Sequence, residues 1–237
     1  ILLKVTRRVP GGQPVEERTY LPTDTSVLIP WQFAPLASRE EVFATMQAVS
    51  ASHQPLGKPS ATLHFEVGLL EEHEHVADFV GPSWSESETD HRHLPLVRTE
   101  VELKEQPKRA RLYLSALGLV EAEINGVKVG NDALVPGWSN YNQRVECFTY
   151  DVTDELQSGA NALGFWLGDG WYRGRLGFDG GYSNFYGDRI AVFAQLEVEY
   201  ADGSMQNIYS NAWDRQWKAT LGPIVCSDLC EGERYDA

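Results

Sequence analysis

The 237-residue sequence has little of what usually settles a protein's class at a glance. Its three cysteines, Cys147, Cys226 and Cys230, are odd in number and too few for a disulfide scaffold. They fit a reducing compartment, so the expected location is the cytoplasm. The Cys226-Ser227-Asp228-Leu229-Cys230 stretch lacks the second pair of ligands a zinc site needs and reads as two incidental thiols. No run approaches the roughly eighteen apolar residues of a membrane-spanning helix, so no membrane partner is expected. No basic-then-apolar leader is visible, but the sequence opens on Ile1 rather than Met, which leaves export open. Basic charge is also scarce. Against 34 acidic residues stand 20 lysines and arginines, a net charge of −14. Without a basic stripe such a chain repels a phosphate backbone, so nucleic acid is excluded as an expected partner. The acidity itself aids solubility and identifies no partner. Long amphipathic helical patterns are missing as well, and no internal repeat is visible.

What remains is alternation of period two, the pattern of half-buried strands. In 110–116 (ARLYLSA), Leu112, Leu114 and Ala116 share a face opposite Arg111, Tyr113 and Ser115. In 190–200 (IAVFAQLEVEY), Ile190, Val192, Ala194, Leu196 and Val198 alternate with a set including Gln195, Glu197 and Glu199. In 162–167 (ALGFWL), Leu163, Phe165 and Leu167 share a face, and Gly164 leaves the other open to close approach. Strands are also expected at 2–9, 15–20, 26–30 and 61–67, with a break at Pro10-Gly11-Gly12. The segment 39–49 suits either a helix face through Val42, Phe43, Met46 and Val49 or a strand through Val42, Ala44, Met46 and Ala48. Asn125-Gly126 between two short apolar runs predicts a two-residue hairpin. Asp202-Gly203 plays a similar part after 190–200, and Thr153 with Asp154, Glu155 and Leu156 reads as one capped helical turn stopped near Gly159. The fold class expected is all-β and antiparallel.

Between the two strand-rich halves, 71–95 is rich in acids, histidines and serines and reads as a linker. Its His73/His75 and His91/His93 pairs have a metal-like spacing, yet in a loop such histidines are usually solvated.

The most distinctive stretch is 167–178, "LGDGWYRGRLGF", with four glycines, an acid, two arginines, a tryptophan and a tyrosine among its twelve residues. Sugar recognition needs an aromatic face for the C–H side of a ring and polar groups for its hydroxyls. Trp171 and Tyr172 supply the first; Asp169, Arg173 and Arg175 supply the second. Two further candidate strips are Trp138-Ser139-Asn140-Tyr141-Asn142 with Arg144, and Tyr182-Ser183-Asn184-Phe185-Tyr186 ending at Asp188-Arg189. A purely architectural reading stands beside this one. Trp138 and Trp171 would plug an open end of a sandwich, and Asp169 and Arg173 would form a buried ion pair that fixes the loop. A third reading makes the surface a docking face.

Set in order along the chain, "RLYLSALGLVEAEINGVKVG" (111–130), "LVPGWSNYNQRVECFTYDVTDELQSGANALGFWLGDGWYRGRLGF" (134–178), "YGDRIAVFAQLEVEYADGS" (186–204) and "GPIVCSDLCEGERYDA" (222–237) resemble the N-terminal, non-catalytic part of bacterial-type α-L-rhamnosidases. The combination of "GDGWYRG" with "PGW..YN.R" and "GE.YDA" carries most of that resemblance, whereas "DVT..L..G.NAL" is shared with sandwich domains of other glycosidases. Cys226 and Cys230 depart from the small or aromatic residues expected there. The resemblance is close over 94–237 and thinner over 1–67. It implies a jelly-roll, galactose-binding-like domain over 94–237, an Ig- or fibronectin-like β module over 1–67, and a linker with entry to the second domain over 68–93. It implies that the parent protein hydrolyses terminal α-L-rhamnosyl residues with inversion, in a later α/α-barrel whose two carboxylates flank an activated water. No catalytic residue is assigned here. The expected partners are L-rhamnose-containing glycosides and the parent's catalytic domain. The candidates for sugar contact or docking are Trp138, Asn140, Tyr141, Arg144, Asp169, Trp171, Tyr172 and Arg173. No cofactor is required. Related rhamnose-binding sandwiches suggest calcium, with Asn140, Asp169, Asp179 and Asp188 as candidate ligands. The alternatives are a free-standing carbohydrate-binding module and an accessory domain of another glycosidase.

Overall fold

The computed structural model describes residues 1–21, 27–84, 93–179 and 181–236. These divide into two compact units, Ile1–His75 and Val76–Ala237.

The first unit is built on a four-stranded antiparallel sheet of β1 (Leu2–Arg8), β2 (Val15–Tyr20), β3 (Glu41–Gln47) and β4 (Leu63–Glu66), in the order β2-β1-β3-β4. The ambiguous segment 39–49 is therefore a strand: Val42 pairs with Arg7 and Ala44 with Val5, which sets the period-two face against β1. Val5 and Val42 are buried on that face. Glu40 is buried beside them; the Arg7 guanidinium bonded to it holds its carboxyl below the usual range, against the opposing effect of burial. The strand expected at 26–30 does not form over 27–30, and residue 26 lies outside the described residues. Leu28 takes a positive φ of 53° and is almost fully exposed, and a proline follows at Pro30, so neither backbone nor burial supports pairing there.

The second unit is a sandwich of two antiparallel sheets. Its strands are β5 (Pro95–Leu103), β6 (Arg109–Leu117), β7 (Leu119–Ile124), β8 (Val127–Lys128), β9 (Phe148–Asp151), β10 (Gly159–Gly168), β11 (Ala191–Glu199), β12 (Met205–Tyr209), β13 (Lys218–Leu221), β14 (Ile224–Asp228) and β15 (Gly232–Tyr235), with one helical turn, α1 (Gly170–Arg173). One sheet runs β13-β5-β10-β7-β8, the other β12-β11-β6-β9; β14 and β15 form a separate hairpin. Val97, Val101, Leu163, Phe165 and Val120 from the first sheet and Leu112, Leu114, Val192, Leu196 and Val198 from the second belong to one buried cluster. The alternation read in 110–116, 162–167 and 190–200 thus turns its apolar members into a shared core.

The polar faces behave differently on the two sheets. On β5, Arg98, Glu100 and Glu102 are exposed, as period-two reading expects. On β6 and β11 the polar face is buried too. Arg109, Arg111, Tyr113 and Ser115 lie opposite Glu199, Glu197, Gln195 and Phe193 in register, and every one of these is buried. Part of the expected linker covers this face. The Val76 amide donates to Gln195, Phe79 packs on Phe193, and Val80 bridges Val192. Residues 85–92 of that linker, His91 among them, lie outside the described residues.

Two tight turns connect successive strands of this unit. Asn125 and Gly126 both have positive φ, 53° and 81°, and join the Ile124–Val127 pair, as a two-residue type I′ hairpin requires. Residues 153–155 form a turn rather than a helical one: the Asp151 carboxylate accepts from the Thr153 amide, and Thr153 Oγ1 accepts from the Ala110 amide.

Candidate functional site

Beyond the end of β10, three loops and a hairpin meet: 134–147, 168–176, 182–187 and the β14–β15 turn. The segment "GDGWYRG" is wound into α1 by two backbone bonds, Arg173 N to Asp169 O (3.3 Å) and Gly174 N to Gly170 O (3.2 Å). Gly170 has a φ of +53°, and a Cβ there would stand 2.6 Å from Leu119 Cγ. Only glycine turns the chain so sharply against β7. Asp169 and Arg173, four residues apart, form an ion pair; the Arg173 side chain is fully buried and that of Asp169 13% exposed. Both are thereby withdrawn from solvent, and Asp169 is committed to its partner as the architectural reading supposes.

The outer strip 182–186 is laced to this turn. The Asn184 amide donates to Arg173 O (2.9 Å), that of Tyr186 to Tyr172 O (3.3 Å), and Leu176 and Tyr182 exchange backbone bonds. From the other side the Asp228 carboxylate accepts from the Arg175 amide (2.7 Å), and Glu231 pairs with the Arg175 guanidinium (3.1 Å). Asp228 and Glu231 were not among the candidates read from the sequence. The only signal for them was the particularity of the closing segment 222–237.

Around this scaffold the aromatic residues converge. Trp138 and Trp171 lie parallel, with centroids 6.3 Å apart and an interplanar angle of 10°. Tyr141 meets Tyr172 and Tyr186 edge-on at 5.2 and 4.9 Å, and Phe185 meets Tyr186 at 4.8 Å. Trp138 Nε1 donates to the Tyr186 hydroxyl (3.2 Å), and the Tyr141 hydroxyl donates to Gly137 O (2.6 Å). Burial, with the neighbouring Tyr186, pushes the Tyr141 phenol up to about 12, so it serves as a neutral donor. Gly187 has no room for a side chain, because a Cβ would come within 2.4 Å of the Tyr172 hydroxyl. Trp138 is 60% exposed, and Tyr182, Phe185 and Phe178 are more so. The cluster is anchored inside and open outside.

The structure brings Trp138, Tyr141, Trp171, Tyr172, Asp169 and Arg173 into one neighbourhood. Asn140 instead organises its own turn, its carbonyl accepting from the Gln143 and Arg144 amides, and the exposed Arg144 pairs with Glu146. Asp179 and Asp188 are exposed. Among the described residues no group of three or more His, Cys, Asp or Glu is placed to hold a metal ion. His73, His75 and His93 are exposed, and the three cysteines form no disulfide with one another. Among the described residues no helix is long and apolar enough to cross a membrane.

Residues 105–237 match the family model described as the alpha-L-rhamnosidase N-terminal domain. An alpha-L-rhamnosidase of Streptomyces avermitilis is 53% identical over 129 residues, which are 54% of this chain and 12% of that protein. The crystal structure of native α-L-rhamnosidase from Aspergillus terreus superposes with a TM-score of 0.87 and 35% identity, covering 99% of this chain and 27% of that one. That of the Streptomyces avermitilis enzyme complexed with L-rhamnose gives a TM-score of 0.58 and 31% identity, covering all of this chain and 26% of the other. The chain therefore spans about a quarter or less of the proteins it matches.

Proposed function

The chain belongs to the family of alpha-L-rhamnosidase N-terminal domains, and from that premise we propose that it is the accessory region of an α-L-rhamnosidase, shaping carbohydrate recognition. In this reading the parent protein cleaves terminal α-L-rhamnosides with inversion in a separate, later domain, and the present chain contributes contact surface without reacting groups. The observation that carries the proposal is the aromatic cluster built on "GDGWYRG". Trp138 is exposed and parallel to Trp171, while hydrogen bonds from Trp138 and Tyr141 lock the rings from within. Such rings offer the flat apolar face that the C–H side and the methyl of a deoxy sugar need. Locking them in advance lowers the ordering cost of binding.

The Asp169–Arg173 pair has a different part. Its burial favours the architectural reading for those two residues, which hold the loop while the exposed aromatics meet a partner. That partner is a rhamnoside or the parent's catalytic domain presenting one.

The test uses the full-length protein with an aryl α-L-rhamnoside. Trp138→Ala and Trp171→Ala should each lower kcat/KM by about two- to tenfold, the scale of a lost aromatic contact. Trp138→Ala should leave the melting temperature nearly unchanged, because its ring is mostly exposed. Variants that lower only the melting temperature, with kcat/KM intact, would return the cluster to architecture. Titration with L-rhamnose, with and without calcium, locates the contact: heat in either case favours direct binding by this surface, and its absence favours docking.

A further inference from the structure

A second site lies away from the aromatic cluster, on the outer face of the five-stranded sheet. Arg98 and Glu100 point outward from β5, since they alternate with buried Val97, Thr99 and Val101. Lys218 of β13 lies directly opposite Arg98 in register and so shares its face. The turn before β13 adds Arg215 and Gln216, and the five residues line a cavity of about 240 Å³. The turn is itself organised: the Asp214 carboxylate accepts from the Gln216 amide at 2.9 Å, and the Asp214 amide donates to Asn211 O. Arg98 contacts Glu100, while Arg215 and Lys218 have no ion-pair partner among the described residues. Three cations against one carboxylate therefore gather at one pocket of a chain whose net charge is −14. Lining of this kind opposes the field of the whole molecule and attracts an anion locally.

The size of the cavity falls just under the range of roughly 300–1,000 Å³ typical of drug-sized ligands, which suits one small unit. Two guanidinium groups offer planar forks that match a carboxylate, whereas Lys218 adds a point charge. Glu100 and Gln216 provide an acceptor and an amide for hydroxyls. Beside the pocket the sheet face is open at Gly164. Gly164 of β10 lies opposite Arg98, and a Cβ built there meets nothing within 4 Å. Trp166, two residues on, is held by its Nε1 to Glu123. Trp213, two residues before Arg215, is 89% exposed.

We propose that this face binds an acidic sugar residue, its carboxylate seated among Arg98, Arg215 and Lys218. The class of ligand, a carboxylated saccharide, rests on the reading of the chain as part of a glycan-degrading enzyme. The pocket would then engage a charged unit of a rhamnose-containing glycan, separate from any contact made by Trp138 and Trp171.

Calorimetric titration of the 237-residue chain with D-galacturonate, D-galactose and inorganic sulfate tests this. Galacturonate should bind, more weakly as salt rises; galactose, which lacks the carboxylate, should not; sulfate should bind less tightly than galacturonate. Arg98→Gln and Lys218→Gln should each raise the Kd about three- to fivefold, as for exposed charge contacts. The charge-keeping Lys218→Arg should retain binding, and Trp138→Ala should not alter it. Absence of binding, equal affinity for galactose, or binding that survives the Arg98→Gln/Lys218→Gln double variant would overturn the proposal. Sulfate bound as tightly as galacturonate would overturn its sugar part. The outcome leaves the Trp138 and Trp171 proposal untouched, since those variants are read on a neutral rhamnoside.

Discussion

At the scale of single residues, Asp169 and Arg173 show how a feature that looks chemical becomes mechanical. An acid beside glycines and aromatic residues resembles a reactive group, yet its carboxylate is taken by a fully buried guanidinium one turn away. Removing one member leaves the other buried without compensation, which costs about 3–5 kcal/mol. Arg173→Met should therefore destabilise the chain by roughly that amount in urea denaturation. The Asp169→Asn/Arg173→Met double variant should recover part of the loss, because the stranded charge is gone. A loss below about 1 kcal/mol for Arg173→Met would place the pair with ordinary surface ion pairs. Trp138 illustrates the opposite case. Its composition-level credentials match those of Trp171, but only the structure shows it exposed and donating to Tyr186.

At the scale of elements, period-two patterning located the core strands because burial on one face is all that such a pattern needs. It described β10 correctly, left β5 unread, and misjudged the outward face of β6 and β11. Gln195, Glu197 and Glu199 read as solvated, yet they are buried opposite Tyr113, Arg111 and Arg109. A polar side chain signals solvent only when no partner is available, and here the partners come from a strand 82 to 90 residues earlier in sequence. The segment 76–80 that covers this face has no strand pattern of its own, so its docking was hidden. Turns were more legible. Asn125-Gly126 takes the two positive φ values its sequence implies, and a Cβ on Gly126 would meet nothing within 4 Å. Gly126→Ala should thus cost about 1 kcal/mol through backbone strain alone, with no packing component. Urea denaturation of the chain measures it, and a cost several times larger would show that the hairpin tip is packed. Leu28, by contrast, takes a positive φ that no leucine announces, which is why 27–30 read as a strand.

At the scale of the molecule, the described residues of the two β-rich units form no succession of long helices, and the chain spans about a quarter or less of the enzymes it resembles. On the proposal that the reaction belongs to a separate, later domain, the purified 237-residue chain is expected to hydrolyse no aryl α-L-rhamnoside. Turnover proportional to its concentration, surviving repurification, would place the chemistry in this chain after all. The acidic composition and the cationic pocket on the sheet face also belong to this scale. Net charge is a sum over the sequence, but a local reversal of sign exists only once β5, β13 and the turn between Asn211 and Trp217 are brought together.

Antiparallel β character, the apolar faces of 110–116, 162–167 and 190–200, the type I′ hairpin and the family to which "GDGWYRG" belongs were all legible in the order of residues. Each of these depends on spacing within a few residues or on a motif read in order. Folding was needed to show that Asp169 is spent on Arg173, that Asp228 and Glu231 brace the loop from 53 to 56 residues away, and that Trp138 faces solvent. It alone gathered Arg98, Arg215 and Lys218 into one pocket. Burial and charge pairing are properties of neighbours in space, and strands joined by long connections acquire those neighbours only on folding.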